Sequence, residues 1–347
     1  MPFAYFICEV TGENVDPQTC LSCSRDGGLP GCEFTPAIIA GIINNQRAPG
    51  FAMDEANKHY KGKVDVALSV TEALHCARKV HLSELYNWGA TPSDQYYAFR
   101  GTAFHSMAEA YVDEDPVAIA EQRLQWTFQM RNKVISLTGA PDLITYRQDL
   151  CGWLIQDYKT IKEIPKRTYR YVCKQTGAIV YDTPWRHKGQ TVKCPHCQVK
   201  HPNDDEHITI MELGPQARSS HVEQLQLYSL IIEQNIHLLM KIINKRMGEA
   251  YLTAELPVVA AELCYLDMGG VKRIPVPIWS RKKRIELLSN KIRPHTSEGA
   301  PDVLTDPSCL WECDYCPVRQ QCEIDHGGKV GKAALDKIIE ANEAVPD

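Results

Sequence analysis

The stretch at residues 139–160, GAPDLITYRQDLCGWLIQDYKT, decides the fold of the central part of this 347-residue chain. It contains two apolar runs that are typical of β-strands, residues 142–147 and 152–158, and the segment RQDLCG between them predicts a hairpin turn. Each run carries an acidic residue near one end, Asp142 in the first and Asp157 in the second. A buried carboxylate is costly unless it is paired or binds a cation, so both side chains require a positively charged partner.

Divalent cations and a lysine can supply that partner. Mg²⁺ and Mn²⁺ prefer oxygen ligands and keep several waters, so Asp142 and Asp157 on neighbouring strands can hold one or two of these ions. Lys159 lies two positions after Asp157, on the same face of the strand, where its ammonium can orient a water or stabilise charge on a phosphate. This set suits phosphodiester hydrolysis, and the plainer alternative is a surface salt bridge on a hairpin.

Three motifs in this order resemble those of a known nuclease group. Pro141-Asp142 followed by Asp157-Tyr158-Lys159 resembles the motif of the PD-(D/E)XK nuclease superfamily. GTAFH at 101–105 and QLQLY at 224–228 resemble the GxxxH and QxxxY helices of its RecB-like branch, whose histidine joins the metal site and whose second helix contacts DNA. The resemblance implies that the first three of the following residues bind Mg²⁺ or Mn²⁺ and that all six form the active site: His105, Asp142, Asp157, Lys159, Gln224 and Tyr228.

The 14 cysteines of the chain indicate metal sites rather than disulfides, because the N-terminus lacks a secretory signal pattern and predicts an intracellular protein. The run Cys313-x2-Cys316-x5-Cys322, with Cys76 far upstream, resembles the iron–sulfur variety of RecB-like nucleases, which includes AddB-type and CRISPR-associated Cas-four-type enzymes. In that group four cysteines hold a [4Fe–4S] cluster that joins the C-terminus to an N-terminal helix. Four thiolates also suit Zn²⁺, and Cys309 could replace one of them.

Two further cysteine groups lie outside this resemblance, and both predict Zn²⁺ sites. The N-terminal group is Cys8, Cys20, Cys23 and Cys32. The second group lies at residues 164–208 and comprises Cys173, Cys194 and Cys197, with His201 as the preferred fourth ligand and His196 or His187 as alternatives. Basic and aromatic residues alternate in the same segment. Basic residues can neutralise phosphates and aromatic rings can stack on unpaired bases, so the segment could bind nucleic acid. A zinc ribbon with a solvated face explains the same residues equally well.

The predicted fold class is α/β, with a restriction-endonuclease-like core in which helices flank a mixed central sheet. The expected domains are a Cys-rich arm at residues 1–60, a core formed by residues 61–163 and 209–325, a zinc-ribbon-like insert at residues 164–208 and a helical tail at residues 326–347. Hydrophobic patterns predict helices at 70–86, 95–112, 116–132, 216–247 and 278–293. Further strands are predicted at 133–138, 258–266 and 271–277.

Composition limits the function classes. A net charge of −5 excludes a polycation. The sequence contains no run of about 18 apolar residues, so no membrane span is predicted. The expected function is that of a metal-dependent DNA nuclease, an exonuclease or flap-type enzyme on single strands, in the cytoplasm of a bacterial, archaeal or phage-infected cell. The expected setting is DNA repair, recombination, phage replication or CRISPR adaptation, with a helicase or CRISPR integrase as partner. The alternatives are a non-catalytic nucleic-acid-binding protein and an iron–sulfur redox sensor.

Overall fold

The computed structural model describes residues 4–44, 51–60, 62–112, 114–183, 191–194, 197, 200–202, 208–248, 251–267, 269–304 and 309–331. Within them the α-helices, α1 to α11 in chain order, are Pro17–Arg25, Pro36–Asn44, Phe51–His59, Val70–Leu74, Ala77–Leu85, Pro92–Val112, Ser219–Gln234, Ile236–Met247, Arg281–Ile292, Trp311–Asp314 and Arg319–His326. A 3₁₀ helix spans Arg293–Thr296. The described strands, β1 to β16, are Tyr5–Ile7, Asn14–Val15, Val66–Ser69, Gly89–Ala90, Ala118–Ala120, Leu124–Met130, Lys133–Gly139, Leu143–Arg147, Gly152–Thr160, Thr168–Cys173, Ile179–Thr183, Thr191–Lys193, Lys200–Pro202, Ile208–Leu213, Val258–Leu266 and Val271–Val276.

This mixed α/β chain divides into two compact units. Unit 1 comprises residues 1–157, 223–261 and 277–347, and unit 2 comprises residues 158–222 and 262–276. The predicted division into arm, core, insert and tail stays a prediction. Of the expected helical tail, residues from 332 onward lie outside the described part of the chain. None of the described helices is both long enough and apolar enough to cross a membrane.

Strands β8 and β9 of unit 1 form the hairpin expected from the opening stretch. They pair antiparallel from Leu143–Gln156 to Arg147–Gly152. Trp153 and Leu154 point to opposite faces of the strand and are both buried, so this sheet is covered on both sides. Gly152 is required at the start of β9, because a Cβ there would lie 2.7 Å from the carbonyl oxygen of Pro257. In the turn before it, exposed Cys151 has a φ of +50°.

A second sheet of unit 1 has the order β3-β7-β6, with β3 parallel and β6 antiparallel to β7. The helix predicted at 116–132 is therefore wrong, since β5 and β6 occupy this segment. In β6, LQWTFQM, apolar and polar residues alternate with a period of two, which is the period of a strand. A two-residue turn closes the β6–β7 hairpin, and Arg131 in it has a φ of +55°.

Helix α7 lies in the core of unit 1 and is buried from Leu225 to Ile232. The single helix predicted at 216–247 is wrong at one point, because α7 ends at Gln234 and α8 begins at Ile236. Asn235 separates them, and its side-chain amide donates to the carbonyl oxygens of Ile231 and, at 2.9 Å, of Gln125 on β6. The helix predicted at 70–86 is likewise two helices, α4 and α5, with Cys76 at the start of the second.

Unit 2 contains the small sheet β11-β10-β14, in which both neighbours are antiparallel to β10, and the pair β12–β13. Tyr171 and Cys173 on β10 and Ile208 on β14 are fully buried and form its small interior. The ends of β9 and β15 and the strand β16 belong to the same unit. There Arg273 of β16 forms a hydrogen-bonded ion pair with Glu262 of β15.

Candidate functional site

Two acidic residues lie at the end of the β8–β9 hairpin that is away from its turn. The register of the hairpin ends with Leu143 opposite Gln156, and Asp142 and Asp157 are the next residues along the chain from this pair. Asp142 is 4% exposed and Asp157 is 1% exposed, so both acidic groups are buried in unit 1. The surface salt bridge considered as the plainer alternative does not match this burial.

A third carboxylate lies on the other side of Asp142. Strand β5 pairs antiparallel with β8 up to Ala120–Leu143, and Glu121 is the residue that directly follows this pair. Its backbone N–H donates to the carbonyl oxygen of Asp142 at 3.3 Å. We name these three residues, Glu121, Asp142 and Asp157, the acidic row. Glu121 is not predicted as a site residue from the sequence, because a helix is expected in this segment.

Tyr228 lies beside the acidic row. Its hydroxyl is buried and accepts a hydrogen bond from Nε2 of Gln224 at 3.0 Å, one turn earlier on α7. Burial raises the pKa of Tyr228, and the negative charges of Asp157, Asp142 and Glu121 raise it further. The hydroxyl therefore stays protonated and remains a donor close to three carboxylates. Gln224 and Tyr228 share one helix face, as their spacing predicts.

Gly139 at the end of β7 makes room for the Tyr228 ring. A Cβ on Gly139 would lie 2.8 Å from Cε1 of Tyr228 and 3.1 Å from Cγ2 of Val70, which is too close for both. The glycine in front of the PD motif is thus needed for packing and not for an unusual φ.

We expect Gly139→Ala to lower the free energy of unfolding by about 1–3 kcal/mol, because overpacking must displace the tyrosine ring. Urea unfolding measures this loss. Gly214→Ala is the control, since a Cβ at Gly214 would meet nothing within 4 Å. Equal unfolding free energies for the two variants would contradict this account of Gly139.

Lys159 and His105 complete the set that the sequence predicts. Lys159 lies on β9 within unit 2, two residues after Asp157. In the same unit, burial and then the charge of Lys159 lower the pKa of His221 to about 3, so this histidine is neutral near pH 7. Its Nδ1 lies 2.9 Å from the hydroxyl of Tyr265. His105 lies on α6, and its side chain is outside the described part of the structure.

Four cysteines that are distant in sequence line one cavity of unit 1: Cys76, Cys313, Cys316 and Cys322. The described lining residues do not include Cys309. Burial, and then the charges of the other three thiols, raise the pKa of Cys313 to about 11. The backbone N–H of Cys76 donates to Oε2 of Glu312 at 3.3 Å, which fixes the start of α5 beside the C-terminal cysteines. Thiols that resist ionisation near one another are stabilised when a metal replaces their protons.

The N-terminal cysteines also share one neighbourhood within unit 1. Burial raises the pKa of Cys20 to about 11, followed by the charges of Cys32, Cys23 and Cys8. Helix α1 places Cys20 and Cys23 one turn apart, and Asp16 caps it by accepting from the N–H of Gln18 at 2.9 Å. The four thiols of this group could therefore bind a metal.

The cysteines of the insert are the most compact group. The sulfur atoms of Cys173, Cys194 and Cys197 all lie within 4.8 Å of one another, and Cys173 and Cys197 are 4.0 Å apart. Among the described residues this is the one set of three or more potential ligand atoms with that spacing. Zn–S distances of about 2.3 Å place tetrahedral sulfurs roughly 4 Å apart, so this group fits a single ion. The side chain of His201 is outside the described residues, as are His187 and His196.

Thr176 occupies the position where a CxxC turn would have its second cysteine. The turn is Cys173-Lys-Gln-Thr176-Gly177, and the N–H of Gly177 donates to the carbonyl oxygen of Cys173 at 2.7 Å. Gly177 has a φ of +69°, which favours glycine. Hydrogen bonds from the hydroxyl and N–H of Thr176 lower the pKa of Cys173 to about 6. The turn is therefore built to stabilise a thiolate, although it supplies one sulfur instead of two.

We expect Thr176→Cys to tighten metal binding by the insert at least about tenfold, because it adds a fourth thiolate to the set that Zn²⁺ prefers. Titration of the metal-free protein with Co²⁺ measures this through thiolate-to-cobalt absorption. The control is Thr209→Cys, at an exposed position of β14. If Thr176→Cys binds Co²⁺ with the affinity of the wild-type protein, a side chain at position 176 does not reach the metal site.

Several charged and aromatic residues of the insert have partners within unit 2. Arg170 forms two hydrogen bonds of 2.9 Å with Asp182, and Arg167 pairs with Glu212. Tyr171 is buried, and its ring stacks on Tyr181 with centroids 4.5 Å apart. Fewer side chains are thus available for phosphates and unpaired bases than the sequence predicts.

Comparisons with known proteins do not assign a family. No protein-family model matches the chain, and no curated protein matches it. One similar solved structure is described as "Crystal structure of SSO0001", with a TM-score of 0.40 and 14% identity over 76% of this chain and 89% of that chain. A likeness at this level is too weak to support a functional argument.

Proposed function

We propose that this protein is a metal-dependent DNA nuclease that hydrolyses phosphodiester bonds in single strands or at single-stranded ends. The observation that carries the proposal is that two acidic residues, Asp142 and Asp157, are both buried at the same end of one hairpin. Two acidic groups buried together require neutralisation, and carboxylate oxygens are the ligands that Mg²⁺ and Mn²⁺ prefer. The PD-(D/E)XK motif supports a restriction-endonuclease-like core of the RecB-like type.

In this proposal each side chain has a separate role. Asp142 and Asp157 hold the cation together with His105. A bound Mg²⁺ or Mn²⁺ would polarise the phosphate and favour ionisation of a bound water. Lys159 shares a strand face with Asp157 and would position the attacking water. The protonated hydroxyl of Tyr228 and the amide of Gln224 would donate to phosphate oxygens of the DNA backbone.

The cysteine groups would stabilise the fold. We propose a [4Fe–4S] cluster in the cavity lined by Cys76 and Cys313 with its two other cysteines, because their order along the chain resembles the iron–sulfur variety of RecB-like nucleases and four thiolates are the ligand set of such a cluster. The insert fits a single Zn²⁺. The N-terminal set is also wider than the insert set, and Zn²⁺ is proposed there from its four thiols alone.

Degradation of end-labelled single-stranded DNA in Mg²⁺ or Mn²⁺ tests the proposed function. The wild-type protein is expected to degrade the strand and Asp157→Ala to leave it intact, with an unchanged circular dichroism spectrum. Asp149→Ala is the matched control, because Asp149 lies in the turn of the same hairpin and is exposed. Binding of DNA without metal-dependent cleavage would reject the nuclease and favour the non-catalytic alternative.

A further inference from the structure

We infer that Arg78 is a positioning residue of the iron–sulfur cluster: its buried guanidinium donates a hydrogen bond to a sulfur atom of the cluster and offsets part of the negative charge. The inference rests on the cluster proposed for the cavity that Cys76 and the three C-terminal cysteines line. The cysteine motif that predicts the cluster does not include Arg78. Its assignment comes from its burial, its place in the cavity wall and its missing counter-charge.

Arg78 lies in the wall of the cavity, close to the first cysteine. It is the second residue of α5, which begins directly after Cys76, and both residues line the cavity. Arg78 is 8% exposed. Its Nη1 donates to the carbonyl oxygen of Pro301 at 2.9 Å, in the segment that leads to two further lining residues, Val303 and Leu304. This bond holds the guanidinium in place from the side of the chain.

The positive charge of Arg78 has no counter-charge among the residues that the structure describes. Within them it forms no ion pair with a carboxylate, and its buried Nε atom has no hydrogen-bond partner. Arg284 on α9 shows the contrast, because it is 5% exposed and pairs with Glu233 at 2.8 Å. A guanidinium buried without an acidic partner is costly, so we expect a negatively charged hydrogen-bond acceptor next to Arg78.

A [4Fe–4S] cluster bound by four thiolates meets both requirements. It carries a net negative charge, and its sulfur atoms accept hydrogen bonds. A guanidinium in the wall of the cavity can donate to such a sulfur and offset part of this charge. The buried unpartnered donor therefore fits the group for which the four cysteines are the ligand set.

Two other cations line the same cavity, and neither has the unbalanced buried charge of Arg78. Arg319 already forms ion pairs with two carboxylates, at 3.6 and 3.3 Å. Lys79 is only partly buried, so water can solvate its ammonium. Burial raises the pKa of the Cys316 thiol, and the charge of Lys79 opposes this rise, which places a second positive charge near the cysteines.

The expected consequence of this arrangement is a higher reduction potential of the cluster. Reduction adds an electron, and a neighbouring positive charge stabilises the added negative charge. Net charge and hydrogen bonds to the sulfurs are among the factors that set the potential. Without the charge at position 78, we expect the equilibrium to shift towards the oxidised cluster at least about tenfold, which is about 59 mV for one electron.

Spectroelectrochemical titration of the anaerobically purified protein measures this potential without depending on nuclease activity. Arg78→Gln is expected to lower the potential, whereas Arg78→Lys, which keeps the positive charge, should remain close to the wild-type protein. Arg284→Gln is the matched control, because it removes an equally buried arginine that is not among the described lining residues of the cavity. It should leave the potential unchanged even if it lowers stability.

The outcomes separate this inference from the proposed cluster and from the proposed nuclease. An unchanged potential in Arg78→Gln, or an equal fall in Arg284→Gln, would overturn the inference and leave the cluster in place. If Arg78→Gln takes up no cluster, iron content decides: recovery in Arg78→Lys supports the role of the charge, and equal loss in Arg78→Lys overturns it. A wild-type protein without visible absorption rejects both the cluster and the role of Arg78, whereas cleavage of DNA tests the nuclease separately.

Discussion

Asp142→Asn is expected to stabilise the metal-free protein and to abolish its activity on DNA. Two charged carboxylates at a separation of about 5–10 Å repel each other by roughly 2–3 kcal/mol at the effective dielectric of a protein, and neutralising one of them removes this repulsion. The same change removes a cation ligand. A metal ion contributes several kcal/mol to such a reaction, so hydrolysis should fall by about 10³-fold.

Thermal unfolding with and without Mn²⁺ measures the first effect, and cleavage of labelled single-stranded DNA measures the second. The wild-type protein should gain stability when Mn²⁺ binds, whereas Asp142→Asn should start higher and gain little. Asp149→Asn, in the exposed turn of the hairpin, should behave like the wild-type protein in both assays. A variant that loses stability without metal and still responds to Mn²⁺ would show that Asp142 is not a cation ligand.

Cys316→Ser is expected to cause the largest loss of stability. Cys76 is separated from the C-terminal cysteines by more than 230 residues, and a metal centre that joins them restricts the unfolded chain strongly. By analogy with a disulfide that closes a loop of this length, the loss is about 5 kcal/mol. The visible absorption of anaerobically purified protein should disappear with it if the centre contains iron and sulfide.

Chemical unfolding under anaerobic conditions measures this loss. Cys309→Ser is a close control, because Cys309 is near in sequence and is not among the described lining residues of the cavity. If Cys309→Ser lost the absorption while Cys316→Ser kept it, the ligand set would have to be changed. If the protein contains zinc and shows no visible absorption, the metal link between Cys76 and the C-terminal cysteines stands and the iron–sulfur cluster is rejected.

The sequence predicts the β8–β9 hairpin because the signals are local. Alternating apolar residues and the turn before Gly152 lie within a few positions of one another, and the strand bounds differ from the prediction by one or two residues. The helix predicted at 116–132 fails for the opposite reason. The hydrophobic pattern of the whole segment predicts a helix, whereas the period of two from Leu124 onward is typical of a strand.

Features that depend on tertiary contacts could not be predicted from local patterns. Glu121 belongs to the acidic row only through the register of β5 against β8. The break between α7 and α8 depends on a bond from Asn235 to a strand 110 positions away in sequence. The partner of Arg167, Glu212, lies beyond the insert as the sequence delimits it, so the pattern of the insert alone could not predict this ion pair.

The turn that joins the two strands of the hairpin also provides a site for covalent labelling. Cys151 is the one cysteine of the described chain that is exposed, whereas the others are buried or partly so. A maleimide dye or nitroxide should attach there first, at the end of β9 opposite to Asp157. Distance measurements from that label to a tagged oligonucleotide could then follow how a strand approaches the acidic row, without any engineered residue.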